Sequence, residues 1–195
     1  MDSCRDEGRN GVADAEPIKG WFATADRPGD RTLEMQMLGL DPLLDECKGA
    51  NILDVGCAEG LISIELAKRG AEVTGVDIVE SHIEMARHLR GHLSCRFEIQ
   101  DANEYQPDDY DIILLLAIMH KLKDPSRACA RFANAAKNLV VMRLPPEHAP
   151  SIVDERSGYV KHDMSAVMTW YGFELERVTR GSFSEWTGYY RRRRV

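Results

Sequence analysis

Gly56, Gly60 and Asp77 stand in one stretch, NILDVGCAEGLISIELAKRGAEVTGVD, residues 51–77. A glycine turn lets the backbone bend sharply and come close to a ligand, because no Cβ intervenes. A helix opening at such a turn presents unpaired N–H groups and the positive end of its dipole. Asp77 follows about twenty residues on, the distance at which a carboxylate hydrogen-bonds ribose hydroxyls in a nucleotide-type βαβ unit. The phosphate-binding versions of this arrangement do not fit. Counted from Gly56, the later glycines of G-x-G-x-x-G fall on Ala58 and Leu61. A P-loop needs Lys and Ser or Thr after Gly60, where Leu61 and Ile62 stand. Asp54, just before the turn, would repel a pyrophosphate. A cationic ligand carrying a ribose suits these residues better.

These side chains must be carried by strands that end, and helices that begin, along one edge. NILDVG reads as a short strand buried on both faces. Gly60 opens a helix with Leu61 and Ile64 apolar, and Gly70 closes it at a cap position. AEVTGVD is a second strand. Residues 80–89 form a helix with Ser81 and Glu84 at capping-box spacing, stopped by Gly91. CRFEI alternates as a third strand leading to Asp101, and DYDIILLLAIM is a fourth and the most apolar. Asp124-Pro125 starts a helix, Asp as N-cap and Pro in the first turn, that carries Ala128, Phe132, Ala135 and Ala136 inward. NLVVMRL is a fifth strand, PPEHAP a loop, and residues 163–171 a helix stopped by Gly172. FELERVTRG and SEWTGYYRRRR pair as a hairpin turning around residues 181–184. Strands alternating with helices, then a hairpin, predict an α/β protein with a mostly parallel sheet and an antiparallel edge.

Upstream, residues 1–16 are small, polar and charged and predict disorder. Residues 17–50 predict a helical lid or substrate segment. It comprises the apolar cluster IKGWF, a DRPGD loop, a helix over 31–38 ended by Gly39, and a short helix in LDPLLDECKG. Residues 51–195 form the ligand-binding domain.

The 195 residues are 44% hydrophobic and 29% charged, ordinary for one globular α/β domain with a sizeable core. The net charge of -7 argues against general nucleic-acid affinity. The longest apolar run, residues 112–119, suits a buried strand and falls short of a membrane span. The polar start MDSCRDEGRNG is not expected to act as a signal peptide. The five cysteines are scattered and lack a C-x-x-C pair, so neither a disulfide framework nor a metal site is expected, and the chain is expected to be cytoplasmic.

LDVGCAEG, VTGVDI, HIEMAR, FEIQDAN and YDIILLLAIMHKLKDP, in this order and spacing, resemble the class I S-adenosylmethionine-dependent methyltransferases. The resemblance is close over residues 51–143 and extends by order of elements to the terminal hairpin. It implies a Rossmann-like, doubly wound, seven-stranded sheet and S-adenosyl-L-methionine as cofactor. Asp54, Gly56, Cys57, Ala58 and Gly60 match the motif that wraps the methionine part. Asp77 matches the residue on the ribose hydroxyls, and Ile78 the apolar residue beside adenine. His82 falls near the adenosine, Asp101 and Ala102 at the adenine amino edge, and Leu116 near the sulfonium. His120 stands where the family often carries a histidine. Ala58 replaces the commoner glycine, and Val79 stands where serine is frequent.

The chemistry so implied is in-line displacement, in which a substrate N, O or C atom attacks the sulfonium methyl. His120 is the candidate base for a nucleophile that arrives protonated, and His148 a weaker one. No Asp/Asn-Pro-Pro-Tyr/Phe motif follows the fourth strand, no Pro-Cys nucleophile is present, and no Asp/His set suggests a metal-dependent catechol enzyme. Elimination favours a small-molecule acceptor. Two alternatives stay open: an RNA methyltransferase, helped by Arg191–Arg194 and opposed by the net charge, and a non-catalytic cofactor-binding regulatory module. Substrate contacts are expected from residues 20–40 and 145–159.

Overall fold

The computed structural model describes residues 20–25, 28–154 and 160–194. Two short parallel strands, β1 (Gly20–Phe22) and β2 (Gly29–Arg31), precede two short helices, α1 (Leu33–Met37) and α2 (Asp41–Glu46). Strands and helices then alternate: β3 (Asn51–Val55), α3 (Leu61–Lys68), β4 (Glu72–Asp77), α4 (Glu80–Leu89), β5 (Cys95–Ile99), β6 (Tyr110–Leu116), α5 (Pro125–Ala135) and β7 (Ala136–Leu144). An antiparallel pair, β8 (Ser151–Asp154) and β9 (Val160–Asp163), leads to α6 (Met164–Trp170) and the terminal strands β10 (Phe173–Arg180) and β11 (Trp186–Arg192). The expected disorder of residues 1–16 lies outside the described residues.

Seven strands form one sheet in the order β10-β11-β7-β6-β3-β4-β5. β3 to β7 run parallel, and β11 is antiparallel to both β7 and β10. The order reverses between β3 and β6, which pair at Asp54 and Leu114. Ligands of open α/β sheets bind outside the strand ends at such a switch. Successive strand residues face opposite sides, so each strand feeds two cores. Leu53, Val55, Ile113, Leu115, Val140 and Met142 pack with Phe132 of α5 and Met168 of α6. Ile52, Ile112, Leu114 and Val141 pack with Leu43 of α2, Leu66 of α3 and Ile83 of α4. Each such side chain contributes roughly 1.5–3 kcal/mol by leaving water.

Five local features differ from the sequence expectation. β6 stops at Leu116, because Ala117 takes the left-handed conformation (φ 56°) and a 3-10 turn over Met119–Lys121 follows. Ser81 and Glu84 make no capping box. Val79 caps α4 without a side-chain bond, and its N–H goes instead to Asp77 Oδ1 at 2.9 Å. The stretch after β7 is a 3-10 turn, Pro146–His148, followed by β8 and β9 rather than loop alone. Within residues 17–50, the described part combines the β1–β2 pair with two helices of five and six residues. Ala136, expected on the helix, begins β7 and is buried.

The arginine tail is committed to the fold. Arg191 pairs with Glu46 at 2.7 Å and Glu176 at 3.1 Å, and Arg193 with Glu174 at 3.7 Å. Arg192 donates to Ala133 O, Ala136 O and Tyr171 O, covering carbonyls at the ends of α5 and α6. Among the described residues no helix is long and apolar enough to cross a membrane.

Arg143 of β7 is fully buried and anchors the N-terminal segment. Its two terminal nitrogens donate to Gln36 O and Leu38 O, each at 2.8 Å, and its Nε to Thr187 Oγ1 at 3.1 Å. Burial holds its guanidinium below the usual arginine range, with Glu185 acting in the other direction. Arg143→Met strands both carbonyls and leaves Glu185 buried beside an apolar chain. The expected loss is about 3 kcal/mol, read as a lower midpoint in guanidinium unfolding.

Candidate functional site

A cleft of about 200 Å³ opens over the ends of β3, β4 and β6. The turn after β3 forms its floor. Gly56 (φ 75°) and Gly60 (φ 72°) supply left-handed backbone, and a Cβ on Gly60 would sit 2.6 Å from the Phe97 ring. Gly56 and Cys57 donate to Val76 O, which ties the turn to β4. Ala58 is left-handed as well (φ 48°), a conformation costly for a residue with a Cβ. Its N–H is met by Asp77 Oδ2 at 3.0 Å. Asp77, at the end of β4, thus receives one N–H from the turn and one from the start of α4. Ile78, next along, is 61% exposed, an apolar side chain open to whatever enters.

Asp54 lines the cleft from β3 and is 3% exposed. Ser63 Oγ donates to its Oδ2 at 2.6 Å. Burial raises its pKa to about 6, opposed by the Ser63 hydrogen bond and helped by the Asp77 charge. A buried carboxylate with one neutral partner is what a cationic ligand would compensate. The Cys57 thiol, buried against the Ala58 carbonyl, is pushed well up by burial and by Asp54 and Asp77, so it is a wall and not a nucleophile.

Of the residues implied for the cofactor, Asp54, Gly56, Cys57, Ala58, Asp77, Ile78, His82 and Leu116 line this cleft. Gly60 lies beneath the turn. Asp101 and Ala102 lie past the end of β5, outside the cleft lining. Asp101 accepts from Asn103 N at 2.9 Å and Asn103 Nδ2 at 2.8 Å, and these bonds hold its carboxyl below the usual range. Ala102 O accepts from Arg131.

His120 faces a neighbouring hollow with Leu122, His148 and Ile152. Its ring stacks on His148 at 5.9 Å, and its Nδ1 is buried without a hydrogen bond. Burial, then Lys121 and His148, lower its pKa to about 4, so the ring is neutral at physiological pH.

No motif marks Glu59, Gln36 or Lys121 as a site residue. Glu59, fully buried, accepts from Trp21 N at 2.8 Å and Phe22 N at 3.0 Å and so fastens β1 over the turn. Its one hint is an acid inside an otherwise apolar run. His82 stands between Glu59 (3.7 Å) and Asp77 (3.6 Å). Trp21, Gln36 and Lys121 reach the cleft from outside the central βαβ unit, and no periodicity marks them.

The sequence model of the methyltransferase-domain family matches residues 46–171. A ubiquinone biosynthesis O-methyltransferase of Pseudomonas savastanoi is 34% identical over 134 residues, 60% of this chain and 58% of that protein. The chain thus spans less than two thirds of the length of that curated relative. A magnesium protoporphyrin IX methyltransferase of Synechocystis, solved with bound S-adenosylhomocysteine, superposes with a TM-score of 0.66 over 82% of this chain and 84% of that one, at 20% identity. A TehB-like S-adenosylmethionine-dependent methyltransferase of Corynebacterium glutamicum superposes with a TM-score of 0.61 over 81% and 89%, at 25% identity.

Asp54 has a consequence for stability. Its folded pKa of about 6 lies above the ordinary 3.8, so the folded chain holds the proton more tightly than the unfolded one. The resulting stability is present below pH 3.8 and is lost as pH rises through about 6. Asp54→Asn keeps the Ser63 bond and removes the charge. It is expected to stabilise the ligand-free protein at neutral pH by about 2 kcal/mol and to flatten the pH dependence of its thermal midpoint across that window.

Proposed function

The chain belongs to the methyltransferase-domain family, and from this premise we propose that it transfers a methyl group from S-adenosyl-L-methionine to an N, O or C atom of a small-molecule acceptor. One observation carries the reading. Two carboxylates, Asp54 and Asp77, face one cleft beside the bare apolar side chain of Ile78. That set matches a molecule with a positive centre, a ribose and a flat base.

Asp77 binds the ribose hydroxyls, and Ile78 lies against adenine. Asp54 provides the counter-charge for the positive end, and the Gly56–Ala58 turn wraps the methionine part. His82, Cys57 and Leu116 complete the walls, with Gly60 shaping the turn beneath. Asp101 and Ala102 act at the adenine edge from the end of β5. When bound, the cofactor supplies a methyl already activated on sulfur. The protein's work is therefore alignment and exclusion of water. His120 takes the proton of a nucleophile that arrives protonated; its depressed pKa keeps it neutral, and so able to accept, down to about 4. The similarity to an O-methyltransferase of ubiquinone biosynthesis favours an oxygen of a small molecule as the methylated atom. The described cysteines, all buried and unbridged, suit the cytoplasm.

Calorimetric titration with S-adenosylhomocysteine tests the cofactor residues. Asp77→Ala is expected to weaken binding about a hundredfold, and undiminished affinity would remove the ribose assignment. Cofactor affinity in the wild type should fall as pH drops through about 6, because Asp54 then gains its proton. His120→Ala should bind normally and turn over about a hundredfold more slowly. The wild-type rate should show no loss from the His120 ionisation until pH nears about 4. A His120→Ala enzyme of full activity would exclude this histidine as the base.

A further inference from the structure

After the cofactor's residues are assigned, two polar side chains of the cleft remain uncommitted, and both are donors. Gln36 is 4% exposed, lines the cleft, and has its Nε2 buried without a hydrogen bond. Its backbone is held by Arg143, so the amide is presented from a fixed point. Lys121 enters the same cleft from the 3-10 turn after β6, with Nζ 4.5 Å from the centre of the Trp21 ring. Among the described residues no carboxylate stands within ion-pair distance of that ammonium. Arg31 lies 5.0 Å from the same indole, but its charge is met by Glu185 at 2.7 Å. Among the described residues the Trp21 rim therefore carries one positive charge, that of Lys121, without an ion-pair partner. Burial pulls the Lys121 ammonium below the usual lysine range, Asp77 opposes that, and Arg31 adds to it.

Charge thus divides along the cleft. The strand ends offer Asp54 and Asp77, suited to a cation, and the rim offers Lys121 and the Gln36 amide. A group that accepts hydrogen bonds, donates none and bears negative charge satisfies the second set. The cofactor's own carboxylate is the competing source. It travels with an ammonium and a sulfonium, whose place is the acidic half of the cleft.

Building on the methyltransferase reading, we propose that the acceptor is a carboxylate-bearing small molecule whose carboxylate is held at the Trp21 rim by Lys121 and Gln36. Binding of acids to the protein saturated with S-adenosylhomocysteine tests this. The probes are acetate, benzoate, 4-hydroxybenzoate and indole-3-acetate, each against its primary amide. In the wild type at least one acid is expected to bind about tenfold more tightly than its amide. Lys121→Met should abolish that preference and Lys121→Arg restore it. Gln36→Leu should weaken acid and amide alike, because its N–H can serve either oxygen; unchanged affinities there would remove Gln36 from the subsite. No preference for any acid, or a preference that survives in Lys121→Met, overturns the proposal. So does a Lys121→Met protein with weakened affinity for S-adenosylhomocysteine itself, which would give the lysine to the cofactor. A wild-type protein that takes up no S-adenosylhomocysteine fails the earlier reading instead, before any acid is added.

Discussion

Three carboxylates, Asp54, Glu59 and Asp77, converge on one turn, and the site is built around keeping them there. Each is held by a different device. Asp54 has a single serine hydroxyl, Glu59 two backbone N–H groups of β1, and Asp77 two backbone N–H groups from opposite sides of the cleft. Burial raises the pKa of Asp54, and the like charge of Asp77 adds to it. Glu59 and Asp77 convert their charge into structure, because the N–H groups they hold would otherwise be unmet. Asp54 does not, and in the proposed reading it is the carboxylate that a ligand neutralises. Stability and binding are therefore set against each other at that position.

The backbone around these groups is bent in the same cause. Ala58 and Ala117 both take left-handed conformations, at the ends of β3 and β6, and both line the cleft. Such conformations persist in a residue with a Cβ only where neighbours hold them. Asp77 holds the first through the Ala58 N–H, and Arg143 O holds the second through the Ala117 N–H at 3.0 Å. The two bends turn the chain away from the sheet just where the strand order reverses, which leaves a gap between them. That gap is the cleft.

The sheet and the central βαβ unit were legible because their signals are local. Buried strands read as apolar runs, and Gly60 and Gly70 punctuate α3 at its two ends. Gly56 and Asp77 stood out by spacing, since strand, turn and helix lengths fix their separation, while Asp54 was placed by the family resemblance. The rest depends on contacts between distant segments. Ser81 and Glu84 have the spacing of a capping box, yet Asp77 reaches Val79 first, and nothing in the local pattern announces that competition. β8 and β9 contain Asp154 and Lys161 among their few residues, so no alternation distinguished them from loop. Trp21 and Gln36 belong to short elements whose position is set by Glu59 and by Arg143, partners 38 and 107 residues away. His120 was visible as a residue and not as a position. Only the 3-10 turn decides that it stacks on His148 while its neighbour Lys121 enters the cleft.

Arg143 joins these strands of argument. Through its carbonyl it holds the bend after β6, and through its guanidinium it holds the carbonyls of Gln36 and Leu38 at the end of α1. One residue of β7 therefore sets the relative position of the wall that carries Ile118 and Lys121 and the wall that carries Gln36. Its guanidinium is planar and offers donors in fixed directions, so two carbonyls and a threonine hydroxyl are satisfied without freedom to slide. A lysine could not supply that geometry. Buried arginines are expensive unless their donors are used, and this one places its donors on two backbone carbonyls and the Thr187 hydroxyl. The placement makes sense if Lys121 and Gln36 must keep a set distance, as they must to hold one acceptor group between them.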